Sequence, residues 1–301
     1  MKKEQKQGHS EDSFTDDRNH WYNPDFLGLM AQRWGLSQYS SVLDVGSGMC
    51  HWSKLLVSYM QAGTSVTALD SDDKWSVGSA DIAHYFEKKG HHIEFVQGNA
   101  HTLPFKDNSF DVVTCQTVLI HVKNPELALS EMKRVVKKGG IVICAEPNNR
   151  IQSLLQDTSN QDDSIDEVLL RVKHSLAFEK YKLSQNNGNN SFGDLLCSTM
   201  NGLRFKDIKA YMNDKLVSIY PPYEGVEQQA MINTYLKWGK TEPEKLAMDQ
   251  AYQTALEEEG YVKFLKSCRP INADSKVVTS MKNLTYSSSG AVLLYLISGK
   301  K

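Results

Sequence analysis

Val42-Leu43-Asp44-Val45-Gly46-Ser47-Gly48-Met49-Cys50-His51-Trp52 is the stretch on which the rest of the chain depends. Val42, Leu43 and Val45 are short-strand residues, and Gly46-Ser47-Gly48 breaks the strand into a turn. From Trp52 to Met60, Leu55, Leu56 and Met60 fall on one side of a helix. A strand running through Gly-x-Gly into a helix brings backbone N–H groups and a helix N-terminus up to a ligand, and glycine is required because a Cβ would hold the ligand off the backbone. Asp44, two residues before the first glycine, suits a ligand with an ammonium group better than a pyrophosphate. The Gly-x-Gly-x-x-Gly of dinucleotide folds would need glycine where His51 stands.

Outward from this stretch, strands and helices alternate. Ser65–Asp70 reads as a second strand, Lys74–Lys89 as a helix stopped by Gly90, and Ile93–Gln97 as a third strand. Phe110–Gln116 reads as a fourth strand and Pro125–Val136 as a helix. Ile141–Glu146 is a fifth strand after the turn Lys137-Lys138-Gly139-Gly140. These strands are apolar on both faces, as a parallel sheet covered by helices requires, so the expected fold is a doubly wound α/β sheet with its ligand at the strand C-terminal ends. Upstream, Pro24 opens a helix carrying Phe26, Leu27, Met30, Ala31 and Trp34, and Gly35 ends it. Phe205–Tyr211 and Gly290–Ser298 supply later strands.

The chain has 301 residues, with 34 Lys and Arg against 36 Asp and Glu, a formal charge of −2. That balance argues against a nucleic-acid partner. No apolar run approaches the roughly 18 residues of a membrane span, so no membrane partner is expected. The 5 cysteines lack metal-ligand spacing, which suggests free thiols in a reducing, cytoplasmic setting and no metal.

Asp44, the glycine loop, the acid ending the second strand and the later turns together resemble the class I S-adenosylmethionine-dependent methyltransferases, in their small-molecule methyltransferase-domain branch. Further matches are Leu103-Pro104-Phe105, the Asp107–Val113 entry to the fourth strand and Lys138-Gly139-Gly140. The resemblance is close over about residues 20–150 and looser over 188–213 and 289–299. It implies a seven-stranded Rossmann-like sheet, S-adenosyl-L-methionine as cofactor with S-adenosyl-L-homocysteine as product, and a small-molecule methyl acceptor. It carries over Asp44, Gly46, Ser47 and Gly48 for the methionine part, Asp70 for the ribose, and Ser71, Asn99 and Ala100 near the adenine. Cys50 replaces a frequent third glycine, and Asn99 replaces the usual acid after the third strand.

Other readings stand beside these. Asp44 could instead cap a helix, and Asp70 could begin an Asx turn with Ser71 and Asp72. Cys115 and Gln116 end the fourth strand, where their backbone should border the sulfonium; Cys115 lacks the preceding proline of a cytosine-methylating nucleophile. His121 stands where many relatives carry a histidine, as a general base or as a residue ordering its loop. Glu146 and Asn148 end the fifth strand as candidate substrate contacts. Trp21 and Tyr22 resemble aromatics that close over the cofactor in relatives, or are ordinary packing. Tyr220-Pro221-Pro222-Tyr223 has the look of an amino-methyltransferase motif but follows the sixth strand, so it reads as a turn.

The expected organisation is a disordered tail over 1–18, an α/β core over 19–150 completed by 191–213 and 289–301, and helical insertions over 151–190 and 214–288. The second insertion has helical patterns around Glu227–Leu236 and Pro243–Leu256. In-line methyl transfer needs alignment and exclusion of water. The insertions are therefore expected to cap a substrate pocket, with Tyr181, Tyr211, Met212, Tyr220 and Tyr223 near it. A non-catalytic S-adenosylmethionine or S-adenosylhomocysteine binder and a protein or nucleic-acid methyltransferase are the alternatives, and the oligomeric state is left open.

Overall fold

The computed structural model describes residues 16–238, 275–290 and 293–301. The decisive stretch folds as strand β1 (Ser41–Val45), the glycine turn and helix α2 (His51–Val57). Strand alternation sends Val42 into one core with Met30, Trp34, Trp52, Phe86 and Ile143. It sends Leu43 and Val45 into a second core with Leu69, Leu129, Met132, Val142 and Met200. β1 is thus sandwiched, and truncating Leu43 (0% exposed) removes about 2–5 kcal/mol in the usual range for a buried leucine.

Strands β2 (Ser65–Asp70) and β3 (His92–Gln97) continue parallel on one side of β1. Strands β4 (Phe110–Gln116) and β5 (Val136–Pro147) continue parallel on the other. Strands β6 (Lys206–Met212) and β7 (Leu294–Lys300) complete a seven-stranded sheet of order β3-β2-β1-β4-β5-β7-β6, in which β7 runs antiparallel to both neighbours. The chain order reverses between β1 and β4, which makes the C-terminal ends of these strands the topological switch point of the sheet.

Helix α1 (Pro24–Trp34) begins at its proline and ends at Gly35, whose φ of 70° gives the left-handed cap. The helix expected from Lys74 is broken. Asp72 caps α3 (Asp73–Ser76), Ser79 caps α4 (Ala80–Lys88), and Gly78 lies between them at φ 72°. A Cβ on Gly78 would stand 2.3 Å from the Phe95 ring, so β3 packing sets the break. Helix α5 (Pro125–Val135) leads into β5, which takes in the expected Lys137–Gly140 turn.

The stretch 151–187 divides into a short 3-10 turn (Ile151–Leu154) and helix α6 (Ile165–Ser184), started by a Ser164–Glu167 capping box. Helix α7 (Leu196–Gly202) precedes β6. Between β6 and β7, helices α8 (Val226–Trp238) and α9 (Lys276–Lys282) build a separate small core from Val217, Ile219, Tyr223, Met231, Ile232, Met281 and Tyr286. The helical pattern at Pro243–Leu256 lies outside the described residues. The two insertions are tied together: Thr158 N–H donates to Ser287 O at 3.0 Å, and Tyr286 Oη–H to Asp157 Oδ2 at 3.1 Å.

One boundary differs from the sequence expectation. Residues Asp16–His20, partly assigned to the tail, form a 3-10 helix against α8. Asp17 is 4% exposed and accepts from Trp21 Nε1–H and Thr234 Oγ1–H, at 3.1 and 3.0 Å. Among the described residues no helix is long and apolar enough to cross a membrane.

Candidate functional site

The glycine turn is shaped by its neighbours. Gly46 sits at φ 68°, with Val118 Cγ2 only 2.6 Å from where a Cβ would lie. Its N–H and that of Ser47 both donate to Leu69 O, at 2.7 and 3.0 Å. Gly48 N–H donates to Asp70 Oδ2 at 3.0 Å, and Asp72 N–H to Asp70 Oδ1 at 3.0 Å. The acid ending β2 thereby fixes the turn after β1, and a carboxylate's remaining lone pairs are left for further donors. Burial raises the Asp70 carboxyl above its ordinary value against these hydrogen bonds. Cys50 takes φ 59°, the left-handed conformation a glycine would adopt freely, at a cost on the order of 1–2 kcal/mol.

Asp44 is 1% exposed, and neither its Oδ2 nor the Ser47 hydroxyl oxygen has a hydrogen-bond partner. Desolvation pushes the Asp44 carboxyl up to about 7, with Ser53 hydrogen bonding opposing and nearby Asp70 adding to the rise. A buried carboxylate oxygen without a donor is costly to the free protein. Beside a turn that admits no Cβ, it is also an unfilled acceptor for a cationic group.

Tyr22 is buried against Trp52, ring centroids 5.4 Å apart, and its hydroxyl accepts from Gln116 Nε2–H at 3.1 Å. Burial raises the phenol, so Tyr22 stays protonated. Trp52 Nε1–H donates to Thr114 Oγ1 at 2.7 Å, which locks the aromatic pair to β4.

Residues 43–144 match the family model described as "Methyltransferase domain". The chain is 40% identical over 108 residues to the demethylmenaquinone methyltransferase of Staphylococcus haemolyticus, 36% of this chain and 43% of that one. It is 41% identical over 105 residues to the demethylmenaquinone methyltransferase of Renibacterium salmoninarum, 35% of this chain and 40% of that one. The chain therefore spans less than half the length of these curated relatives. The crystal structure of the YcgJ protein from Bacillus subtilis superposes with a TM-score of 0.50 at 18% identity, over 93% of this chain and 99% of that one. Residues 43–144 are thus similar to methyltransferase domains.

Within this matched stretch, Asp44, Gly46, Ser47, Gly48 and Asp70 come together at the C-terminal ends of β1 and β2. Tyr22 and Gln116 meet at the end of β4. Ser71 and Asn99 are exposed beyond β2 and β3, and Ala100 is half-buried. Asn99 Oδ1 accepts from His101 N–H at 2.8 Å. The Cys115 thiol is buried beside Cys144 and raised by that contact first and burial second, so it stays a thiol; it points to Glu146 Oε1 at 3.6 Å.

Two expected substrate contacts have other tasks. Glu146 is 0% exposed and faces the loop after β4: Oε1 accepts from Val118 and Leu119 N–H, both at 2.9 Å, and Oε2 from Ile120 N–H at 3.3 Å. Burial raises this carboxyl to about 7. Asn148 holds the following turn: its Oδ1 accepts from Arg150 N–H at 3.1 Å, and its Nδ2 donates to Asp194 Oδ1 and Tyr295 Oη at 3.0 and 3.2 Å. Glu146 thus holds backbone N–H groups of the loop after β4, and Asn148 ties its own turn to Asp194 and Tyr295.

The supposed pocket aromatics also disperse. Tyr223 Oη–H donates to Tyr286 O within the second insertion, Tyr211 stacks under Arg33, and Tyr220 and Met212 are exposed. Tyr181 packs with Ala177 on α6. Residues that sequence spacing did not single out meet the loops beside these strand ends. Arg18 Nη1–H donates to Thr117 Oγ1 at 3.1 Å, Asn19 Oδ1 pairs with His51 Nδ1 at 3.1 Å, and Lys182 Nζ lies 3.2 Å from His121 Nδ1. Arg18 and Lys182 are far in sequence from the strand ends, so no local pattern marks them.

Proposed function

We propose that this protein is an enzyme that binds S-adenosyl-L-methionine over the β1 and β2 ends and transfers its methyl group to a small-molecule acceptor, releasing S-adenosyl-L-homocysteine. The observation that carries the reading is the pair of buried, unpartnered acceptors, Asp44 Oδ2 and Ser47 Oγ, beside a glycine turn pinned by Asp70. Asp44 and Ser47 fit an ammonium group, Asp70 the ribose hydroxyls, and Asn99 Nδ2 an adenine edge. When bound, the sulfonium supplies an activated methyl for in-line displacement. The chain's residues orient it and exclude water: Tyr22, Trp52 and Gln116 wall the end of β4, and the Asp16–His20 turn lies between Thr117 and α8.

A small acceptor is supported by the two relatives, both named for methylating demethylmenaquinone. The family-model match ends at residue 144, before either insertion, so the residues that would select an acceptor lie outside it. Calorimetric titration with S-adenosylmethionine, S-adenosylhomocysteine and NAD tests the reading. Saturable binding of the first two, lost in Asp70→Ala and absent for NAD, is the expected result. Binding of NAD alone, or of none of the three, overturns it.

A further inference from the structure

Lys182, on α6, reaches the loop following β4. It is 9% exposed, and Nζ lies 2.9 Å from Ile120 O, 2.9 Å from Asn190 Oδ1 and 3.2 Å from His121 Nδ1. The stretch after α6 lies flat on the same loop: at Gly188, φ 83°, a Cβ would stand 2.5 Å from Ile120 O. An ammonium has three protons and no lone pair. Three acceptors around Nζ therefore use all of its donors, and His121 Nδ1 is then the unprotonated ring nitrogen.

We propose that Lys182, supplied by the insertion, is a positioning residue that sets the protonation of His121. With Lys182 as ammonium, His121 holds its proton on Nε2 and acts as a hydrogen-bond donor; with Lys182 as amine, Nε2 becomes a base. The inference rests on the proposed methyltransferase reading for its catalytic meaning. In the change between the two forms, the Nε2 proton leaves to water and one ammonium proton passes to Nδ1. The amine keeps its two N–H donors on Ile120 O and Asn190 Oδ1, and its lone pair accepts from Nδ1–H. The Lys182–His121 pair loses one proton in all. The base form suits an acceptor whose hydroxyl or ammonium must lose a proton as the methyl arrives; the donor form suits an oxygen acceptor that is already anionic.

The charged groups around the pair set where the change falls. Burial lowers the Lys182 ammonium to about 8, opposed by the carboxylates of Glu146 on β5 and Glu179 on α6. Glu179 is itself paired with Arg150 at 2.6 Å and bonded by the Ser191 hydroxyl.

The test is the nitrogen-15 spectrum of the histidine rings in the ligand-free protein, with His121 assigned by the signal lost in His121→Gln. Expected in the wild type near neutral pH is the Nε2–H form, converting to Nδ1–H as pH rises through about 8, with Lys182→Met losing both the preference and the conversion. A Nδ1–H ring at neutral pH, or a ring form unchanged by pH and by Lys182→Met, overturns the proposal. If Lys182→Met fails to fold, the wild-type titration alone decides. The spectrum needs no bound cofactor, so its failure is distinct from failure of the binding titration.

Discussion

At the scale of single residues, the site contains acids placed where water is not. Asp44 carries a carboxyl raised to about 7, above its usual value near 3.8. A group raised in the folded state contributes stability that is whole below the unfolded value and is lost as pH rises through about 7. A cationic ligand reverses this by favouring the carboxylate, so binding releases a proton from Asp44. Cofactor affinity should therefore rise as pH goes from about 6 to 8, by up to roughly tenfold per unit below the midpoint. Asp44→Asn should flatten that profile and weaken binding at pH 8 by about 10–100-fold, the range for a hydrogen bond to a charged group. Calorimetry at several pH values checks both. Glu146, with its carboxyl also near 7, spends its oxygens on three backbone N–H groups and should leave the ligand's pH profile unchanged.

At the scale of elements, helix α6 depends on its start. Ser164 accepts from Glu167 N–H while Glu167 reaches back to the Ser164 backbone, at 3.3 and 2.7 Å. Ser164→Ala should destabilise α6 by about 1 kcal/mol, read as faster amide exchange along 165–184 with β1–β5 unaffected. The boundaries of α1 and the strands β1, β2 and β4 were legible in the sequence because local chemistry fixes them: a proline at the start, a glycine at the stop, β-branched runs between turns. The glycine turn after β1 was legible for the same reason, since a left-handed turn with no room for a Cβ leaves a compositional mark. The split at Gly78 was not, because it depends on Phe95 from another strand. The direction of the Glu146 carboxylate was not legible, because position at a strand end does not say which way a side chain turns; it is set by the N–H groups of residues 118–120. Lys182 left no mark in the sequence, since a lysine near the end of a helix usually reads as solvated.

At the scale of the whole molecule, the Asp16–His20 turn joins parts that are otherwise apart. Asp17 bonds Thr234 of α8, Arg18 bonds Thr117 after β4, and Asn19 meets His51 at the start of α2. Asp17→Ala removes an acceptor shared by Trp21 and Thr234 and should speed S-adenosylhomocysteine release by about tenfold, equivalent to about 1.4 kcal/mol. Stopped-flow displacement measures the rate, and an unchanged circular-dichroism spectrum shows that the fold is intact. The position of β7 has a different consequence, for the order of assembly. Among the described residues β6 has no strand neighbour except β7, and residues 213–293 separate the two in sequence. The five parallel strands can pair as soon as their crossover helices form, but the flank of β5 stays uncovered until residues 294–300, far along the sequence, return to it. Until then the apolar run Ile141-Val142-Ile143-Cys144-Ala145 offers an open row of amides and carbonyls to any strand nearby, so the hazard this chain faces while folding is concentrated on one edge and ends when β7 docks.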